Sequence, residues 1–269
     1  MTKSAHTLEL SVVLAVHNEE SCIGRCLQAV QTIADEIIVV DGDSTDATVS
    51  IAKKFGAKII STTNKPNFHL NKKMAIEAAS GKLVLQLDAD EVVDATLLKE
   101  ITQIKQQKAW ETADSASPTA WQIPRKNFLL GRWLSKGGQY PDYVIRLFVA
   151  GKASIPAKDV HEQLTVNGAI GTLSGHLLHY ANPTFSDYVR KANRYTSFTA
   201  QQWRAARKSI SLGNTFFYCV YMPIMTTAKL FLRHRGYVDG LAGFVFAAGS
   251  GLHFLFAYLK LWELYETKN

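Results

Sequence analysis

Four times within residues 1–108, a short apolar run gives way to apolar residues at helical spacing. Residues 8–16, LELSVVLAV, read as a strand. Ile23, Cys26, Leu27 and Val30 then mark a helix over about 19–31. EIIVV, at 36–40, is a second strand ending in Asp41, and Ser44 or Thr45 is placed to cap the helix of Val49, Ala52 and Phe55. AKIIS, at 57–61, is a third strand, followed by a polar loop and a helix over about 70–79. KLVLQL, at 82–87, is the fourth, and Leu97, Leu98, Ile101 and Ile104 place a helix after Asp94. Such alternation demands a doubly wound, mostly parallel, Rossmann-like α/β sheet with helices on both faces. Ligands of such sheets bind beyond the carboxyl ends of the strands. Asn18, Asp41, Asp88 and Asp90 all stand at those ends, so residues far apart in sequence line one crevice.

The fourth strand runs into Asp88-Ala89-Asp90-Glu91. Carboxylates this close repel, and a bound cation or polar ligand makes the cluster favourable. All-oxygen ligands suit a hard divalent ion, magnesium or manganese, shared with a phosphate. The alternative is a solvated acidic turn with an N-cap at Asp94. No dinucleotide glycine fingerprint and no Walker lysine loop follows any strand.

Beyond residue 108 the pattern changes. Residues 109–120 read as a loop and 121–124 as an edge strand. Residues 127–143 combine glycines with Phe128, Trp133 and Tyr140, which suits either a cover over a site or a packed surface loop. Residues 144–149 read as a strand. His161, His176 and His179 match no zinc spacing and are most simply structural. From residue 186 the chain is helical and basic, and two apolar segments follow, 216–232 and 241–262, with Arg233, His234 and Arg235 between them. They form either a buried hairpin or helices at a membrane interface, and the length and flanking arginines favour the membrane. The net charge of +7 calls for an anionic partner. No zinc-finger or RNA-binding signature accompanies it, so nucleic acid is excluded as the expected partner. The N-terminus shows no signal peptide, and Cys22, Cys26 and Cys219 form no disulfide framework, which points to a reducing cytoplasmic setting.

VVLAVHNEE, IIVVDGDSTDAT, NKKMAIEAASGKLVLQLDADE, IPRKNFLLGRW, GGQYPDYVIRLF and DVHEQL, in that order, resemble glycosyltransferase family 2 and, more narrowly, its lipopolysaccharide-core glucosyltransferase branch. The resemblance implies a GT-A fold, a UDP-linked sugar donor, magnesium or manganese, a glycolipid acceptor and an inverting displacement. It implies a GT-A domain over 1–205, with a nucleotide half at about 1–108 and an acceptor half at 109–205. Residues 206–269 would be a membrane-associating helical extension, attached peripherally to the cytoplasmic face of the inner membrane. Val16, Asn18, Glu19, Asp41, Lys72, Asp88 and Asp90 would hold the donor. Asp41 stands at the nucleobase position, Asp88 at the ribose position, and Asp90, with Asp88, at the metal position. Lys72 matches the lysine of the family's Gln-Lys-Asn, here flanked by Asn71 and Lys73. Glu162 falls where the family keeps its general base, with Asp142 in reserve. Arg125, Arg146, Trp133, Tyr140 and His161 are candidates for phosphate or acceptor contact. Two other readings are a haloacid-dehalogenase-type phosphatase, from Asp41-Gly42-Asp43-Ser44-Thr45, and a non-catalytic membrane adaptor.

Overall fold

The computed structural model describes residues 8–65, 67–111, 117–156 and 164–267. They form two compact units, one from Met1–Arg125 and Tyr143–His179, the other from Lys126–Asp142 and Tyr180–Asn269.

In the first unit, strands β1 (Leu10–Val16), β2 (Glu36–Asp41), β3 (Lys58–Ser61) and β4 (Leu83–Leu87) alternate with helices α1 (Ile23–Val30), α2 (Thr48–Lys54) and α3 (His69–Glu77). β1 pairs in parallel with β2 and β4, and β2 with β3. β5 (Glu91–Val93) follows β4 almost at once, then α4 (Ala95–Gln106). Asp94 caps α4 by accepting from the Leu97 N–H at 2.8 Å, as the sequence suggested. The later strands are β6 (Pro118–Leu129), β7 (Arg132–Trp133), β8 (Asp142–Val149), β9 (Ala153–Ser154), β10 (Thr165–Val166), β11 (Ala169–Thr172) and β12 (Leu177–Asn182). The sheet order is β3-β2-β1-β4-β8-β6-β12-β5. β8 runs antiparallel to β4 and β12 antiparallel to β5, so the sheet is parallel on one side and mixed on the other.

Three local expectations change. The stretch expected as an edge strand at 121–124 is part of the twelve-residue β6, which lies inside the sheet between β8 and β12. Burial of Trp121 and Ile123 draws the strand inward. α1 begins only at Ile23, because Asn18 turns the chain through a left-handed φ of 54° and residues 18–20 lace onto the β2–α2 loop. Ser44 and Thr45 do not cap α2. The Ser44 hydroxyl accepts from Asn18 N–H (2.9 Å), the Thr45 N–H donates to Asn18 Oδ1 (2.8 Å), and Asp46 Oδ1 accepts from Thr48 N–H (2.9 Å).

The buried core lies on both faces of the central strands. Val12, Leu14, Leu85 and Leu87 pack with α1 and α4, and Val13, Val40, Val84 and Phe148 pack with Ala75 of α3. All five residues of β4 are buried, which explains why it is apolar but for Gln86.

In the second unit, β6 and β7 form a hairpin whose two turn residues, Leu130 and Gly131, have φ of 52° and 75°. Positive φ at both positions matches the twist of the flanking strands. α5 (Phe185–Ala205) is capped by Thr184. Two helical stretches long and apolar enough to cross a membrane follow, Leu212–Arg233 and Gly236–Glu266, the latter mostly the α-helix Gly240–Glu266. The first contains widened turns at Phe217–Tyr221 and Lys229–Arg233. The earlier one precedes Pro223, whose missing N–H and ring disfavour a regular turn there. The pair packs closely: a Cβ at Gly251 would strike the Pro223 carbonyl and the Thr227 hydroxyl.

Candidate active site at the strand ends

Because β1, β2 and β4 are parallel neighbours, their carboxyl ends share one edge. Val16 ends β1 opposite Asp41, and its carbonyl accepts from the Gly42 N–H at 2.8 Å. Asp41 is 5% exposed. Its Oδ2 accepts from the Ser44 N–H at 3.2 Å, while its buried Oδ1 has no partner among the described residues. An unmade hydrogen bond at a buried acceptor costs about 1–3 kcal/mol, and this oxygen has the capacity to accept one N–H. Beside it, Asn71 Nδ2 donates to the Thr63 carbonyl at 3.2 Å and lies 3.2 Å from where a Cβ at Gly42 would sit. Asn71 Oδ1 is a second buried acceptor without a partner among the described residues. The sequence offered no sign of this role beyond the altered neighbours of Lys72. Asn18 and Glu19 tie the β1 and β2 loops together, Glu19 through its N–H to Thr48 Oγ1 at 2.7 Å.

The acidic turn after β4 is neutralised from within. Arg146, on β8 opposite β4, is 9% exposed. Its Nη1 donates to Gln86 Oε1 (2.5 Å), and its Nη2 donates to Asp88 Oδ2 (2.6 Å) and Glu91 Oε1 (2.7 Å). Lys72 Nζ lies 2.5 Å from Asp88 Oδ1, and Arg125 Nη1 lies 3.4 Å from Glu91 Oε1. Glu91 is fully buried, and its second oxygen accepts from the Asp88 N–H at 3.0 Å, closing the turn. Burial pushes the Asp88 carboxyl up, but the Arg146 guanidinium and Lys72 ammonium outweigh it and hold it well below the usual carboxylate range. Burial likewise opposes the charge on Arg146, and Asp88 and Glu91 raise its pKa in return. The repulsion for which the sequence argument invoked a bound cation is therefore relieved by protein cations. Arg146, a candidate for phosphate contact, spends its guanidinium on this turn.

Asp90 points elsewhere. Its Oδ2 lies 3.5 Å from Nε2 of His179, on β12. The antiparallel register of β12 on β5, with His179 opposite Glu91, produces this approach. No spacing in the sequence signals it, and the sequence reading took His179 as structural. Among the described residues no group of three His, Cys, Asp or Glu side chains is placed to hold an ion. Magnesium-type sites commonly use one or two carboxylates plus substrate phosphates. A carboxylate and an imidazole nitrogen at one point fit such a shared site, with the remaining positions left to a diphosphate and water. His176 is a structural histidine beside the Asp94 cap, at 3.2 Å.

Trp133, Tyr140 and Asp142 belong to the second unit. Trp133 and Tyr140 meet edge to face with ring centres 5.3 Å apart, Lys126 Nζ lies 4.9 Å from the Trp133 ring centre, and Asp142 Oδ2 accepts from Asn127 Nδ2 at 2.9 Å. His161 and Glu162 lie outside the described residues. Cys26 is a buried and Cys22 a half-buried thiol, and burial pushes both pKa values up, which disfavours the thiolate.

Residues 11–143 match the model of glycosyl transferase family 2. The chain is 24% identical over 267 residues to the lipopolysaccharide core biosynthesis glycosyltransferase LpsC of Rhizobium meliloti, covering 97% of this chain and 94% of that protein. It is 31% identical over 272 residues to an uncharacterized glycosyltransferase of Rickettsia typhi, covering 96% and 87% respectively. Among solved structures, the mannosyltransferase PcManGT of Pyrobaculum calidifontis, in complex with GDP-Man and Mn2+, aligns with 96% of this chain and 88% of its own at 13% identity and a TM-score of 0.53. That likeness is one of fold, and it agrees with the GT-A architecture expected from the sequence.

Proposed function

Because the chain belongs to glycosyltransferase family 2, we propose that it is an inverting hexosyltransferase that moves glucose from a UDP-linked donor to a hydroxyl of a lipopolysaccharide inner-core glycolipid. The observation that carries this reading is the set of groups at the strand ends: an unsatisfied buried oxygen on Asp41, an ionised Asp88 beside Lys72, and Asp90 against His179. Asp41 accepts the imide N–H of the base. Asp88 accepts from the ribose, and Lys72 turns to the diphosphate. Asp90 and His179 would hold a divalent cation; PcManGT's own complex contains Mn2+. When bound, that ion offsets charge on the departing diphosphate, typically by several kcal/mol. The acceptor hydroxyl attacks the anomeric carbon opposite the leaving group. Its proton passes to Glu162, and the bond to the diphosphate breaks with inversion.

LpsC supports a lipopolysaccharide acceptor. Residues 1–205 carry the chemistry and 206–269 hold the enzyme at the cytoplasmic face of the inner membrane, where nucleotide sugars are available. The phosphatase and adaptor readings are not retained for a chain of this family.

The test is a donor screen with manganese, read as nucleoside diphosphate release, with and without a lipopolysaccharide core acceptor. UDP-glucose should give acceptor-dependent UDP release. Release only from another donor would reassign the sugar, and no release from any donor would sink the reading. Glu162→Gln should keep donor affinity and lose transfer by about a hundredfold or more. Normal turnover in that variant together with an inactive Asp142→Asn would move the base to Asp142.

A further inference from the structure

The two apolar helices are held in a way that a bilayer-spanning hairpin does not permit, and every contact concerned lies within the second unit. α5 packs along Gly240–Glu266. At one end the Tyr188 hydroxyl occupies the space a Cβ at Gly249 would need, and at the other the Arg204 guanidinium lies 5.7 Å from the Tyr265 ring centre. Between them Thr199 meets His253 at 3.1 Å, and Lys260 Nζ reaches the Asn193 carbonyl at 2.6 Å. A crossing needs about 20 residues. Any such stretch of this helix runs beside α5 for about half its length or more. The exposed side of α5 there carries Arg190, Arg194, Gln201 and Gln202, and arginine is among the residues least tolerated at the centre of a bilayer.

The turn between the apolar helices is pinned as well. Asp239 is buried, and its carboxylate accepts from Ser135 N–H (3.1 Å), the Ser135 hydroxyl (2.7 Å) and Lys136 N–H (2.8 Å). Gly137 N–H donates to the His234 carbonyl at 2.9 Å. The turn therefore stays with the segment that follows β7. A crossing with the 206–211 turn on the far side would carry α5 through the membrane.

The apolar surface is nevertheless long and open. None of the most apolar part of Leu212–Arg233 is buried. Its Leu212, Phe216, Val220 and Ile224 are exposed at every fourth position, and the widened turn between them stretches the helical repeat toward that spacing. From Tyr188 to Val238 the sequence has no carboxylate and nine Lys or Arg residues. Such a face repels a second copy of itself and attracts anionic headgroups.

We infer that α5 and the two apolar helices form an in-plane anchor that seats Leu212–Arg233 in one leaflet of an anionic membrane, with the 206–211 and 234–239 turns on the side from which the protein binds. This rests on the membrane-bound reading above and specifies its geometry. The test uses the full chain and phosphatidylcholine vesicles with and without phosphatidylglycerol. Cysteines are introduced singly by Ser209→Cys and His234→Cys in a Cys219→Ala background and labelled with a membrane-impermeant maleimide. Binding should require phosphatidylglycerol, and both positions should label fully before detergent is added. Arg233→Glu with Arg235→Glu should weaken vesicle binding by about tenfold or more, with nucleotide binding unchanged as the control for folding. Protection of either cysteine until detergent is added would mean a span, overturning the in-plane geometry while leaving membrane attachment intact. Equal binding to neutral vesicles would overturn the anionic specificity. No binding to either vesicle would overturn the membrane reading too, and a dimer by light scattering would then assign the face to a second copy.

Discussion

Arg146→Met removes one guanidinium from a turn that holds a fully buried carboxylate, Glu91, and a partly buried one, Asp88. Arg146 has three acceptors, on Gln86, Asp88 and Glu91. Deleting one partner of a buried ion pair costs about 3–5 kcal/mol, because the other charge is left in a poor solvent. Here each carboxylate keeps a second cation, Lys72 for Asp88 and Arg125 for Glu91, so the lower end, about 3 kcal/mol, is expected. With a urea slope of about 2–3 kcal/mol/M, the midpoint should fall by about 1–1.5 M. Adding Glu91→Gln removes the stranded charge while keeping an acceptor for the Asp88 N–H. The double variant should therefore recover about 1–2 kcal/mol relative to Arg146→Met. The assay is urea unfolding followed by tryptophan fluorescence, to which the buried Trp121 of this unit contributes, with all three variants forming a double-mutant cycle. A loss under about 1 kcal/mol for Arg146→Met, or strict additivity of the two substitutions, would refute the view that Arg146 holds this turn by charge.

Further outcomes are expected. His179→Ala and Asp90→Ala should each weaken manganese-supported donor binding by about tenfold or more in calorimetry, whereas Asp41→Ala should weaken it equally with chelator present; identical affinity with and without metal in the native chain would remove Asp90 and His179 from the metal role. Thermal stability should be flat from about pH 7 to 5 and fall below about pH 4. Asp88 is held low by Arg146 and Lys72 against burial, and Asp35 is held low by Lys105 and the Leu10 N–H against burial. A depressed carboxyl contributes stability above its unfolded pKa and loses it as pH falls through the folded value, so an onset near pH 6 would point to histidines instead. Gly243→Ala places a methyl against the Gly236 carbonyl and should destabilise the second unit by about 1–3 kcal/mol, read as a lower melting temperature and faster amide exchange at 234–239.

The parallel half of the sheet was legible in the sequence because burial of β1, β2 and β4 on both faces writes apolar runs, as in LVLQL. The common edge of the strand ends was legible too, because parallel strands of one sheet end together and Asp41 and Asp88 each close a run. β6 was harder to see. Its twelve residues include Pro118, Pro124 and several polar side chains, so neither alternation nor a continuous apolar run announces an interior strand.

What the sequence by itself determined is the alternation of four strands with helices over residues 8–106, the carboxylates at those strand ends, and a long cationic, apolar C-terminal stretch. These depend on periodicity and composition, which are local. The tertiary structure alone decided which charges meet. Arg146 comes to the acidic turn only through the antiparallel pairing of β8 with β4, and His179 comes to Asp90 only through β12 on β5. Asp239 binds Ser135 and Lys136 because a buried carboxylate must find donors wherever the chain brings them. Pairing partners distant along the chain leave no spacing to read, since register is set by packing over the whole sheet rather than by neighbouring residues.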